Sequence, residues 1–313
     1  MSKKPYRRRR KSKKPKKETP QPDRRGMDKM MDDLGRLLED KEFDSIDDIN
    51  AYLQQLMASG QPIPTAEPRT PLEEAQAVMY DAWDAHAPKQ RIRLARKALS
   101  ISEDCADAYV LLAEESARSI EEAKELYASG VEAGERALGE EAFAEYEGHF
   151  WGVTKTRPYM RARAGLAACC WGLNQREEAI AHYREMLRLN PGDNQGIRYT
   201  LLTCLLEEGQ DKEAEKLLQA YEDDAAAMWL YTEALLIFRK EGASREADKH
   251  LSEALAFNPH VPDYLLGRRR MPRQLPQHMG FGDETEAAHY VAEAGHLWMR
   301  QEGALDWLRQ KMP

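Results

Sequence analysis

The chain has 313 residues, 42% of them hydrophobic and 32% charged, with only 6 Phe and with Ala, Leu, Glu and Arg outnumbering Val and Ile. That composition favours helices over strands, and no stretch approaches the ~18 consecutive apolar residues of a membrane-spanning helix. Charge is divided unevenly: residues 1–25 hold 13 Lys/Arg and two acids, a net +11, and the remainder carries −19. The first 26 residues lack an apolar core, which excludes a secretory signal. Four cysteines (Cys105, Cys169, Cys170, Cys204) show no CxxC spacing. Neighbouring Cys169 and Cys170 point about 100° apart on a helix, a poor arrangement for sharing one metal. The expectation is a cytoplasmic protein with reduced, apolar cysteines, no metal and no cofactor.

In chain order, residues 1–26 read as a disordered basic arm, too poor in apolar side chains to offset the entropy of ordering. Residues 27–60 read as a helical hairpin. Its first helix, about 27–41, carries a stripe of Met27, Met30, Met31, Leu34, Leu37 and Leu38. Its second is N-capped by Ser45, with Asp48 three residues on. Pro62, Pro64, Pro68 and Pro71 mark a linker over 61–71. Helices follow at about 72–86 and 89–102, and Ala106-Asp107-Ala108-Tyr109 opens another. A longer helix spans 120–138, so 72–159 reads as degenerate helical repeats.

Regularity begins at residue 160. Ala179, Ala214 and Ala247 lie 35 and then 33 residues apart, each opening an A-x3-Tyr or A-x3-Leu step to Tyr183, Leu218 and Leu251. Gly209 and Gly242 precede the second helix in two copies, where Asn174-Gln175 stands in the first. A period of about 34 residues with paired helices is the tetratricopeptide pattern, and three such repeats fill 160–259. Leu166-Ala167, Leu201-Leu202 and Ala234-Leu235 occupy the close-packing position of each first helix. After Asn258-Pro259, an irregular Pro-containing segment leads to capping helices over 260–313, the last pair at about 284–311. The fold expected is all-α, a tetratricopeptide-like right-handed helical solenoid of four to five helix pairs.

Certain words are more specific than the repeat. They are Thr156-Arg157-Pro158-Tyr159-Met160-Arg161, His260-Val261-Pro262-x-Tyr264-Leu265-Leu266, Gly282-Asp283-x2-Glu286-Ala287 and Glu302-Gly303-Ala304-Leu305. In these, residues 145–310 resemble the C-terminal region of the suppressor of tumorigenicity seven family. The resemblance implies helical repeats and no established enzymatic activity. Its animal members carry membrane-spanning segments near their N-terminus, where this chain has the basic arm and a polar hairpin; no membrane insertion is expected.

Catalytic sets are missing. The eight His never fall into HExxH or HxH spacing, and Gly280-x-Gly282 has no strand before it to make a phosphate loop. Asp283, Glu284 and Glu286 read as helix-start acids that offset the dipole. The inner-face Lys and Asn of the clamp that binds chaperone C-termini are matched here by Ala164 and Ala168. The function expected is a non-catalytic scaffold that binds a protein or peptide on its concave face. Its contact cluster is Trp151, Arg157, Tyr159, Arg161 and Arg198, arginines beside aromatics that could hold a carboxylate or phosphate. Arg198 follows Arg163 by 35 residues, so the two are expected to stack on neighbouring helices. The competing reading of the cluster is an ion-pair network with Glu147, Glu177 or Glu207. A second function, nonspecific nucleic-acid association, would use Arg7, Arg8, Arg9, Arg10, Lys11, Lys13 and Lys14 of the arm, and a third is an unrecognised site around His149.

Overall fold

The computed structural model describes residues 24–39, 41–60, 64 and 67–312. The expectation for the arm, with Arg7 through Lys14, lies outside the described residues. The chain divides into two compact units at Glu67/Pro68, and among the described residues every regular element is helical.

In the first unit, α1 (Arg24–Glu39) begins three residues earlier than expected and α2 (Ile46–Ala58) follows. Ser45 caps α2 by accepting a hydrogen bond from the Asp48 amide at 3.2 Å. Phe43 and the Lys41 ammonium both rest on the Tyr52 ring. The methionine stripe does not form the buried face of α1: Met27 and Met30 are about half exposed, whereas Asp28, Asp33 and Arg36 are buried. Lys29–Asp33 and Arg36–Asp33 pairs, one turn apart, hold that polar face.

The second unit is a stack of antiparallel helix pairs. They are α3/α4 (Pro71–Asp84, Pro88–Ile101), α5/α6 (Ala106–Ser116, Ile120–Tyr146), α7/α8 (Arg157–Gly172, Arg176–Leu189), α9/α10 (Ile197–Glu207, Asp211–Ala220) and α11/α12 (Ala227–Glu241, Arg245–Phe257). Pro71 and Pro88 sit in the first turns of α3 and α4, where a missing N–H does no harm. The repeat alanines Ala179, Ala214 and Ala247 are all fully buried, as are Ala167, Leu202, Ala234 and Leu235 opposite them. Small side chains on one helix let the larger ones of its partner close the gap. The turn inside each of these pairs needs one left-handed residue, supplied by Asn174 (φ 61°), Gly209 (66°) and Gly242 (68°).

α6 departs from the repeat. It is kinked at Gly139 (φ 69°, ψ 168°), where the expected 120–138 helix ends and a further helical segment to Tyr146 begins. It also lies unusually close to α7. A Cβ on Gly134 would stand 2.8 Å from Tyr159 Cβ and 3.1 Å from its Cα, and one on Gly130 would stand 3.1 Å from Ala162 Cβ.

Past α12, the segment expected to be irregular contains a short helix, α13 (Val261–Leu265), before α14 (Glu284–Arg300) and α15 (Ala304–Lys311). α14 packs on both α11 and α9, and α15 on α12 and α13. A helix that merely extended the stack would meet only the last pair. Contact with α9, one repeat earlier, requires α14 to lie along the face formed by the first helices of the repeats. Tyr290 and Trp298 of α14 and Trp307 of α15 join Tyr231 and Phe238 of α11 in one aromatic series, with Phe238 and Trp307 stacked at 4.5 Å.

Candidate functional site

The five residues singled out in the sequence do not assemble into one site. Two short 3-10 turns (Phe150–Gly152, Thr154–Thr156) deliver the chain into α7, held by the Thr156 hydroxyl, which donates to the Phe150 and Val153 carbonyls. Trp151 is half-buried; its amide donates to Asn190 Oδ1 at 3.4 Å, and its carbonyl accepts from Arg157 Nε at 2.8 Å. The Arg157 guanidinium lies over the same indole, 5.5 Å from its centroid. These two residues therefore form a local cation–π unit against the turn that follows α8.

Tyr159 is 1% exposed, edge-on to Phe143 at 5.1 Å, and its hydroxyl accepts from Arg163. It is core and cannot meet a partner. Arg161 makes a fork with Asp107, Nε to Oδ1 at 2.8 Å and Nη2 to Oδ2 at 2.7 Å, and covers the Trp83 ring. Asp107 is fully buried and also accepts from Gln76 Nε2 at 2.9 Å, so this group ties α3, α5 and α7 together. The carboxylate is Asp107 rather than Glu147, Glu177 or Glu207. Glu147 pairs with Arg188 at 2.6 Å, and Glu207 meets His296 of α14 at 2.8 Å. A charged residue inside the apolar run Ala106–Ala113 was the available signal.

Arg198 is elsewhere again. α9 begins at Ile197, so Arg198 lies in its first turn, and its partners differ from those of Arg163 in α7: Arg163 donates to the Tyr159 hydroxyl, whereas Arg198 turns to aspartates. Arg198 Nε donates to Asp224 at 2.8 Å, Nη1 to Asp193 at 3.0 Å and Nη2 to the Tyr199 hydroxyl at 2.8 Å. The Tyr199 hydroxyl in turn donates to Asp224 at 2.7 Å. The guanidinium lies 4.4, 5.3 and 5.9 Å from the ring centroids of Tyr199, Tyr221 and Trp229. Burial opposes its charge, but the bond to Asp224 and the flanking carboxylates outweigh that and hold it above the ordinary arginine value. Burial, reinforced by Asp224, likewise pushes the Tyr199 hydroxyl up, so it stays protonated.

This hub floors a cleft of about 780 Å³ whose rim includes Pro191, Tyr221, Glu222, Asp223 and Phe281. A groove of about 370 Å³ between α10 and α11 shares Gln219, Glu222 and Asp224 with it and adds Glu215, Leu230 and Glu233. The opening has a local cause. α10 has 10 residues where α8 has 14, and α10 meets α11 far less than α8 meets α9. Of the expected residues only Arg198 lines this cleft. Tyr199, Tyr221, Asp224 and Phe281 were missed, since nothing in their spacing relates them before α9, the α10–α11 loop and the segment after α13 come together.

One donor set could be considered for a metal: Cys170, Glu178 and His182, whose donor atoms lie within 4.8 Å of one another. The residues fit an ion pair better. The Lys124 ammonium already lies 3.0 Å from Glu178, and burial, with the neighbouring Glu178, pushes the Cys170 thiol up to about 11. A metal would have to displace that proton as well as the Lys124 ammonium.

Among the described residues no helix is long and apolar enough to cross a membrane. A model of the ST7 protein family matches residues 63–311. The chain belongs to the ST7 protein family. It is 32% identical over 262 residues to the human (Homo sapiens) suppressor of tumorigenicity 7 protein-like, covering 76% of this chain and 45% of that protein. It is 30% identical over 261 residues to the Drosophila melanogaster protein ST7 homolog, with 75% and 48% covered. The chain thus spans about half the length of the curated ST7 relatives it matches. Among solved structures it is similar to YrrB, a TPR protein with an unusual peptide-binding site, at a TM-score of 0.43 and 19% identity, over 57% of this chain and 84% of that one.

Proposed function

We propose that this ST7-family chain is a non-catalytic helical-repeat scaffold that holds a peptide segment of another protein, and that the segment lies in the cleft beside Arg198. The carrying observation is that α14 already covers the inner face over α9 and α11, while the α10–α11 opening keeps an aromatic, polar-rimmed cleft beside it. Peptide sites combine apolar contact area with a few oriented polar groups, and Tyr221, Phe281 and the Arg198 hub supply both. Trp151, whose amide meets Asn190, and Arg157 over its ring could extend the footprint; Tyr159 and Arg161 do not contribute. Four buried cysteines with none paired fit a cytoplasmic setting.

Selection of a random peptide library on the full-length protein tests this. Enriched peptides should lose binding to Phe281→Asp, a change at a 75% exposed side chain that leaves the fold alone. Peptides that bind both proteins equally would place the site elsewhere. Nucleic-acid association through the arm is the second reading, favoured by 13 cations in 25 residues. It predicts RNA binding that falls steeply with salt and disappears when residues 1–26 are deleted; salt-insensitive binding by the truncated protein would contradict it.

A further inference from the structure

We infer that the cleft between α10 and α11 recognises a cationic segment, a peptide with Lys or Arg next to an apolar or aromatic side chain. This rests on the reading of the cleft as the binding site and adds the charge of its occupant.

Arginine beside aromatic residues suggests, from sequence, a receptor for carboxylate or phosphate. The geometry reverses the sign. Each nitrogen of Arg198 donates inside the protein, to Asp224, Asp193 or Tyr199, so its charge is already answered by the chain's own carboxylates. Two aspartates answer one guanidinium, which leaves the hub itself negative. Outside it, Glu222 and Asp223 stand exposed on the rim, and no cation among the described residues pairs with either. Along the adjoining groove Glu233 meets His250, and Glu215 meets Lys240. Among the described residues that line the two openings, Arg198 is the one that is basic. An anionic ligand would be repelled by this excess of carboxylates; a cationic one would be drawn to it.

The aromatic surfaces point the same way. Tyr199 and Tyr221 already cover one cation, and Phe281 stands 75% exposed at the rim. Ring faces attract ammonium and guanidinium groups, and they also cover the aliphatic stems of Lys and Arg. The site has a wall for the stem and carboxylates for the head.

The test is fluorescence anisotropy on the full-length protein with two short fluorescein-labelled peptides, one of Lys, Arg and Tyr and one of the same length with Glu in place of Lys and Arg. The basic peptide should bind, and the acidic one should not. Removing two rim carboxylates in Glu222→Gln/Asp223→Asn should weaken binding roughly tenfold, and added NaCl should weaken it further. Both changes are at exposed residues outside the Arg198 hub, and circular dichroism should be unchanged. Equal binding of the basic peptide to the double variant, or preference for the acidic peptide, overturns the inference. If peptides of either charge bind and depend on Phe281 alone, the cleft remains the site and the charge inference falls. If no peptide binds the wild-type protein, both fall.

Discussion

Arg161 and Glu286 show how one buried polar side chain can decide local architecture. Among the described residues Arg161 is the cation paired with the fully buried Asp107 carboxylate. Truncation to alanine would strand that carboxylate, so Arg161→Ala should lower stability by about 3 kcal/mol, read as a shift in the urea midpoint. A variant that keeps its midpoint and loses a partner would instead make Arg161 a contact residue. Glu286 is 2% exposed and accepts three hydrogen bonds, from the Ala227 amide at 2.8 Å, Asn258 Nδ2 at 2.9 Å and the Gly282 amide at 2.7 Å. It was legible only as a helix-start acid. Asp283 does cap α14, accepting from the Thr285 and Glu286 amides, but Glu286 turns inward and joins α11 to the segment before α14. Glu286→Gln keeps the shape but replaces one acceptor oxygen with a donor facing N–H groups. It should destabilise by about 2 kcal/mol, with the loss seen as faster amide exchange at Ala227 and Gly282; unchanged exchange there would remove Glu286 from this role.

At the scale of elements, close approach and aromatic burial do different work. α6 meets α7 through Gly134, where an added methyl would collide with the Tyr159 Cβ and crowd its Cα. Gly134→Ala should therefore cost about 1–3 kcal/mol even though alanine favours the helix; a rise in melting temperature would show that the two helices can part at no penalty. α14 is held instead by its aromatic series, with Trp298 fully buried and its indole N–H donating to the Tyr290 hydroxyl at 2.6 Å. The helix pairs over 160–259 were readable because their apolar and small residues recur with the repeat. Asn174 could be read as the counterpart of Gly209 and Gly242 because asparagine and glycine both tolerate left-handed backbone. The kink at Gly139 and the short α13 were not readable, since neither follows the period.

Across the second unit, α14 makes the array more than a sum of repeats. In a plain solenoid each pair leans on its neighbours; here the C-terminal helix also ties α9 to α11, with His296 reaching Glu207. Deleting residues 284–313 would expose Tyr231 and its neighbours. Hydrogen exchange should then quicken through α9, α11 and α12 while α3 to α5 keep their protection. Uniform protection would mean that α14 is an ornament on a self-sufficient stack.

What the residues alone determined is the kind of architecture: helical periodicity, buried alanines at the repeat spacing, left-handed turn residues and helix caps are local or recur along the chain. Which arginine faces which carboxylate was decided only in three dimensions. Asp107 and Arg161 are 54 residues apart, and Arg198 and Asp224 are 26 apart. The path of α14 and the short α10 were decided there too, and with them the cleft. Pairings across such separations depend on where whole helices come to rest, and burial then converts each pairing from a surface preference into a fixed one, because an unanswered charge inside the stack is too costly to leave.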